Sequence, residues 1–292
     1  MEHYDILIIG AGAAGLAAAE AAWHAGCKNI LLADRKPDFG GILRQCRHRG
    51  FGNNQDGPEY IEKLTADFPK GICFLPDTTV VSLSENREAL LKSPGFGEKH
   101  IQFKQLILAT GCLEIPLGAL PISGTRPRGV YTAGQMQEMM NLHGFRPEGP
   151  VVILGSGDLG LIMAKHVHEA SVPVAAIIEQ KESCGGMARN RQFLPESGIP
   201  VLCGCTVSEV LGYPCLEKVI LSDGRVIPCR TLLIAAGLRP DRALAHTLQD
   251  KEWLHLCGNC SKIHPMVEGV IQEGRQAAFR AVSALANKKE MR

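Results

Sequence analysis

A chain of 292 residues is long enough for two domains, and 45% hydrophobic with 21% charged residues is the make-up of a soluble globular protein. A formal net charge of +1 leaves no electrostatic case for nucleic acid or an acidic membrane surface as the main partner. No apolar run reaches the roughly 18 residues of a membrane span, so none is predicted.

Residues 6–9 are a short apolar run that feeds Gly10, Ala11, Gly12, Ala13, Ala14 and Gly15, and an alanine-rich stretch follows. Strand, glycine turn and helix in that order make a dinucleotide-binding fingerprint. Gly10 allows the tight turn, Gly12 lets the backbone approach a diphosphate, and Gly15 lets the helix lie close to the strand. The helix N-terminus, at Ala13 and Ala14, offers free N–H groups and partial positive charge to phosphate. Asp34, with Arg35 beside it, closes a second strand over 30–33, where a carboxylate accepts from a ribose hydroxyl.

The glycine pair Gly40–Gly41, followed by Ile42, suggests backbone passing close to a ligand. Helical spacing of Tyr60, Ile61, Leu64 and Phe68 predicts a helix over 58–68. Short β segments are expected at 72–75, 79–83, 89–92 and 101–103, with a turn at 93–97. Residues 106–111 read as a buried strand ending in Thr110–Gly111, and 113–150, rich in Pro and Gly, as a crossover between domains.

The pattern then restarts. Residues 151–154 lead into Gly155, Ser156, Gly157, Asp158, Leu159 and Gly160, then a helix to about 170, a strand over 174–178 and Glu179. Glu179 stands as far from Gly155 as Asp34 does from Gly10, so a second βαβ dinucleotide unit is present. Strands at 207–211, 219–221 and 226–228 make a meander around Asp223–Gly224. Residues 232–237 echo 106–111, and 254–259 precede a last helix over 267–286.

The fold expected is α/β: two Rossmann-like three-layer dinucleotide-binding units, each with a small β-meander. Two dinucleotides in one chain pair most economically as FAD and NAD(P)H, with hydride passing to flavin N5. Glu179 favours NAD(H) over NADP(H), because a carboxylate accepts from a 2′-hydroxyl and repels a 2′-phosphate. Arg189 and Arg191 come ten or more residues later, where solvated or diphosphate-facing roles are open to them.

Over essentially its whole length the chain resembles the pyridine nucleotide–disulfide reductase superfamily, which implies that the second domain is inserted in the first. Residues 1–114 and 238–292 would form a discontinuous FAD-binding domain and 115–237 the NAD(H)-binding domain with the crossover segment. That resemblance implies FAD contacts at Gly10, Gly12, Ala13, Ala14, Gly15, Asp34, Arg35, Gly41 and Ile42, with Thr110 and Gly111 marking the exit from the FAD domain. It implies NAD contacts at Gly155, Gly157, Asp158, Leu159, Gly160 and Glu179. The returning motif departs from the superfamily: Gly258–Asn259 puts a neutral amide where a ribityl-binding carboxylate is usual. Only twelve residues separate Pro240 from Trp253, fewer than relatives carry. The stretches from Gly40 to Gly52, Gly155 to Ala164 and Arg126 to Gly134 resemble the FAD/NAD subunit found beside anaerobic glycerol-3-phosphate dehydrogenase-type and opine or amine oxidase-type subunits. The implied partner is a second flavin- or iron–sulfur-containing dehydrogenase subunit, in an oligomer.

The chain holds 11 cysteines, scattered, and no basic leader precedes the first strand, so reduced thiols in the cytoplasm are expected. Disulfide reductases of the superfamily use a cysteine pair, whereas here only Cys46 stands in the matching stretch. Cys46 reads either as a buried structural thiol or as the redox group of a stand-alone NADH oxidase or peroxidase. His48 is a candidate proton donor, and His264 reads as a local hydrogen-bonder. Cys257 and Cys260 have CxxC spacing but supply two of the four ligands that zinc needs, and Cys203–Gly204–Cys205 is weaker, so no metal is expected. A non-catalytic nucleotide-binding regulatory module is the reading from outside the enzymes.

Overall fold

The computed structural model describes residues 1–248 and 250–290. Two compact units divide the chain: Met1–Leu113 with Arg239–Arg292, and Glu114–Leu238.

The first unit opens with β1 (Glu2–Ile9), α1 (Ala13–His24) and β2 (Ile30–Ala33). Ile6–Ile9 and Ile30–Ala33 are buried throughout, as expected for parallel strands covered on both faces. Next come α2 (Gly57–Thr65), β3 (Cys73–Leu75), β4 (Thr79–Leu83), β5 (Glu88–Ser93) and β6 (Gly97–Leu108). Asp56 and Glu59 form a reciprocal capping box at the start of α2. The sheet runs β3-β2-β1-β6-β5-β4.

The two strands expected at 101–103 and 106–111 are one strand, β6. It pairs antiparallel with β5 through residues 97–102 and parallel with β1 through residues 101–103 and 105–108. Lys104 and Gln105 interrupt the apolar pattern without breaking the strand. Gln105 is buried because its Oε1 lies 2.9 Å from Nε2 of His255.

The second unit holds β7 (Val130–Thr132), α3 (Ala133–His143), β8 (Val151–Leu154), α4 (Asp158–Glu169), β9 (Val174–Glu179) and β10 (Val201–Cys203). The antiparallel meander β11 (Val207–Leu211), β12 (Lys218–Leu221) and β13 (Val226–Pro228) follows, and then β14 (Thr231–Ile234). Its parallel sheet runs β10-β9-β8-β14-β7. Residues 113–150 are therefore more than a crossover, since β7 pairs with β14 and α3 follows it. Glu114 holds that turn: its carboxylate accepts from Thr132 Oγ1 at 2.5 Å and from the Gly134 N–H at 2.7 Å.

The chain then returns to the first sheet with β15 (Leu254–Leu256), parallel to β6, and closes with α5 (Val267–Glu290), longer than expected. Helix α5 packs closely on α1. A Cβ at Gly274 would stand 2.3 Å from the Ala14 carbonyl oxygen, and Ala14, Ala18, Ala277, Ala278 and Ala281 share one core. Among the described residues no helix is long and apolar enough to cross a membrane.

Candidate functional site

Each unit carries a glycine cradle at the start of a helix. In the first, Gly10 has φ +104°, and a Cβ there would meet the Ala109 carbonyl oxygen at 2.4 Å. A Cβ on Gly15 would stand 1.7 Å from the Gly10 carbonyl oxygen. These two glycines are required by the protein's own backbone. Gly12 is not: its φ is −76° and no non-neighbouring protein atom lies within 4 Å of where a Cβ would be. The open space there adjoins the uncapped N-terminus of α1, where free N–H groups suit an anion.

Around this cradle Asp34 Oδ2 accepts from the Ala11 N–H at 2.5 Å and Oδ1 from the Lys36 N–H at 2.8 Å. Each oxygen keeps a lone pair for a ligand hydroxyl. Gly40 donates its N–H to the Ala11 carbonyl oxygen, and a Cβ on Gly41 would lie 3.2 Å from Gly12 Cα. Arg35 is exposed, and Ile42 is 61% exposed on the one-turn helix Gly41–Gln45. Thr110 Oγ1 donates to the Asp241 carbonyl oxygen at 2.7 Å, and Gly111 accepts from the Asp241 N–H.

The returning motif adjoins the same cradle, since a Cβ on Gly258 would come 2.7 Å from Ala14 Cβ. Asn259 Oδ1 accepts from the His264 N–H at 3.0 Å. A backbone N–H can only donate, so this contact fixes the amide's orientation and turns Nδ2 toward Cys112 Sγ, 3.7 Å away. His264 in turn pairs with Glu273 at 2.9 Å.

The second cradle repeats the first. Gly155 has φ +105° and a Cβ there would lie 2.4 Å from the Ala235 carbonyl oxygen, while one on Gly160 would lie 2.1 Å from the Gly155 carbonyl oxygen. Gly157 again faces open space at an ordinary φ of −65°. Asp158 begins α4, and Leu159 packs partly into the core below it.

Glu179 differs from Asp34 in how far it is engaged. Its Oε2 accepts from both the N–H (2.9 Å) and the hydroxyl (2.5 Å) of Ser156, and its Oε1 from the Lys181 N–H (3.0 Å). Burial works against ionisation, but the hydrogen bonds from Ser156 and Lys181 outweigh it and hold this carboxyl below the ordinary carboxylate range. One lone pair, on Oε1, is left for a ribose hydroxyl. Motif reading passes over Ser156; a hydroxyl between two fingerprint glycines is the signal the sequence offers.

Cys46 is buried and donates to the Ile42 carbonyl oxygen at 3.3 Å. Burial, and then the nearby Asp56 carboxylate, push its thiol up to about 12, so it is not a thiolate at neutral pH. His48 is half-buried, with its ring 5.1 Å from that of Phe51. Cys257 and Cys260 are fully buried, and both thiols point to the Leu108 carbonyl oxygen, at 3.7 and 2.9 Å. Burial raises both, which suits core packing rather than exchange.

A profile described as pyridine nucleotide-disulphide oxidoreductase matches residues 4–254. An opine oxidase subunit of Agrobacterium tumefaciens (strain Ach5) is 26% identical over 84% of this chain and 54% of its own length. The hydrogen cyanide synthase subunit HcnB of Pseudomonas protegens is 26% identical over 87% and 62%. The alpha subunit of sarcosine oxidase from Corynebacterium sp. (strain U-96) is 28% identical over 82% and 26%. The chain thus spans about half the length, or less, of several curated relatives that it matches. Among solved structures, thioredoxin reductase of Lactococcus lactis superposes with a TM-score of 0.77 at 19% identity, covering 97% of this chain and 99% of that one. That of T. acidophilum gives 0.75 at 19%, covering 98% and 100%. The matched profile, the paired cradles and this shared fold agree: the chain belongs to the pyridine nucleotide-disulphide oxidoreductase family.

Proposed function

We propose that the unit formed by Met1–Leu113 and Arg239–Arg292 holds FAD, and that the unit Glu114–Leu238 admits NADH. The observation that carries this reading is the matched open space at Gly12 and Gly157, each beside a helix N-terminus and a strand-end carboxylate. FAD, once bound, accepts a two-electron hydride and releases electrons singly or in pairs. The chain's own share is positional: Gly10, Gly12 and Gly15 admit the diphosphate, Asp34 takes the adenosine ribose, and Gly258–Asn259 borders the cradle from the far end of the chain. In the second unit Gly155, Gly157 and Gly160 do the same, and ionised Glu179 disfavours a 2′-phosphate.

The electrons then go to, or come from, a partner dehydrogenase subunit. Relatives that are named as subunits support this. The 11 scattered cysteines suit a reducing compartment, the cytoplasm. Anaerobic NADH titration of the flavin spectrum tests the pairing, and bleaching is expected. Co-purification tests the partner: isolation as a lone chain that rapidly turns over a small organic substrate with NAD would overturn the subunit reading.

A further inference from the structure

The likeness between the two units runs past the glycine turns. Lys36 and Lys181, Gly40 and Gly185, Gly41 and Gly186, and Arg44 and Arg189 all stand at the one offset that relates Gly10 to Gly155 and Asp34 to Glu179. Geometry repeats along with residue type. The Lys36 N–H donates to Asp34 Oδ1, and the Lys181 N–H to Glu179 Oε1. Gly40 donates to the carbonyl oxygen of Ala11; Gly185 donates to the hydroxyl of its counterpart, Ser156, at 2.7 Å. Gly41 and Gly186 both take left-handed φ, +53° and +68°.

In the first unit this glycine pair closes the cradle on the side of Gly12. In the second the corresponding segment stands over the start of α4. A Cβ on Gly185 would point at the Ser156 carbonyl oxygen, 3.2 Å away, and one on Gly186 would lie 3.2 Å from Asp158 Oδ1. Asp158 raises an electrostatic question, since a carboxylate in the first turn of a helix repels a diphosphate there. The segment answers it. Asp158 Oδ1 accepts from the Met187 N–H and from Asn190 Nδ2, both at 2.7 Å, and those donors offset its charge. Ser156, fully buried, ties the other end by bridging Glu179 and Gly185.

We infer that residues 181–190 form the second wall of the nucleotide site in this unit. Gly185 and Gly186 pack on the diphosphate of an adenine dinucleotide, and Ser156 and Asp158 are positioning residues that hold the wall in place. The inference rests on the reading of this unit as the NADH site.

The test is Gly185→Val. Gly185 has no left-handed φ, and its built Cβ meets Ser156 at a distance that a small shift relieves, so the variant is compatible with folding. In anaerobic stopped-flow reduction of the bound flavin, the NADH Kd should rise about tenfold or more, the scale of removing one good interaction, with FAD content unchanged. A Kd equal to that of the parent protein at equal melting temperature overturns the inference. A parent protein whose flavin NADH does not reduce overturns instead the assignment of the second unit. Should Gly185→Val not fold, hydrogen exchange on the parent protein decides: saturating NAD+ should slow exchange at Met187–Asn190, and unchanged exchange there overturns the wall.

Discussion

Gly15 packs so tightly on Gly10 that a Cβ on the former would stand 1.7 Å from the carbonyl oxygen of the latter, and Gly160 repeats this on Gly155 at 2.1 Å. Both clashes fall on backbone, which a side-chain rotation cannot relieve. Gly15→Ala should therefore push α1 off β1, cost about 1–3 kcal/mol of overpacking and release flavin. Gly160→Ala should leave the flavin in place and abolish its reduction by NADH. Absorbance at flavin wavelengths and anaerobic NADH titration read the two effects separately. Equal flavin loss from both variants would contradict separate sites.

Ser156→Ala leaves Glu179 Oε2 one donor short and strands the Gly185 N–H. Leaving buried groups partly unsatisfied costs about 1–3 kcal/mol, so the melting temperature should fall. Ser156→Thr keeps a hydroxyl and should retain more of the stability. If Ala and Thr behave alike, the hydroxyl bridge is not what stabilises the loop.

Glu179→Gln removes the charge that opposes a 2′-phosphate. The ratio of NADH to NADPH in kcat/KM for flavin reduction should drop by about tenfold, in line with the worth of a hydrogen bond to a charged group. An unchanged ratio would move nucleotide preference elsewhere in the unit.

Cys46 stays protonated through neutral pH. Iodoacetamide at pH 8 should modify exposed Cys73 well before buried Cys46 in the folded protein. Cys46→Ser should reduce its flavin with NADH at the parent rate and show no change in peroxide-dependent NADH oxidation. A collapse of peroxide turnover in this variant would restore Cys46 as a redox group.

His255 is buried against Gln105, and burial, followed by the nearby Arg280, pushes its imidazole down from 6.5 to about 4. Between those values the unfolded chain takes up a proton that the folded one does not. The contribution of His255 is thus complete above pH 6.5 and is lost as pH falls toward 4. Urea midpoints measured across that window should decline with acid, and His255→Gln should flatten the decline. The slope is the readout, because the substitution also alters packing.

Much of the fold is legible in the sequence because its signals are local. The buried runs Ile6–Ile9 and Val151–Leu154 meet their glycine turns within a few residues, and Asp34 and Glu179 follow at one spacing. Where the sequence misleads, the deciding partner is remote. Strand β6 looks divided at Lys104 and Gln105 because nothing nearby announces that His255 will satisfy a buried Gln105. Residues 130–143 pass for linker because Val130–Thr132 find their sheet partners at Leu232–Ile234.

By itself the sequence determined the two cradles, since Gly10 with Gly15, and Gly155 with Gly160, are requirements that each turn imposes on its own helix. Tertiary structure alone decided the state of the side chains around them. Ser156 and Lys181 occupy most of Glu179, His264 turns the Asn259 amide, and burial keeps the Cys46 thiol protonated. Ionisation and hydrogen-bond occupancy follow from desolvation and from whichever donors the fold brings within about 3 Å, and residue order fixes neither until the chain has closed on itself.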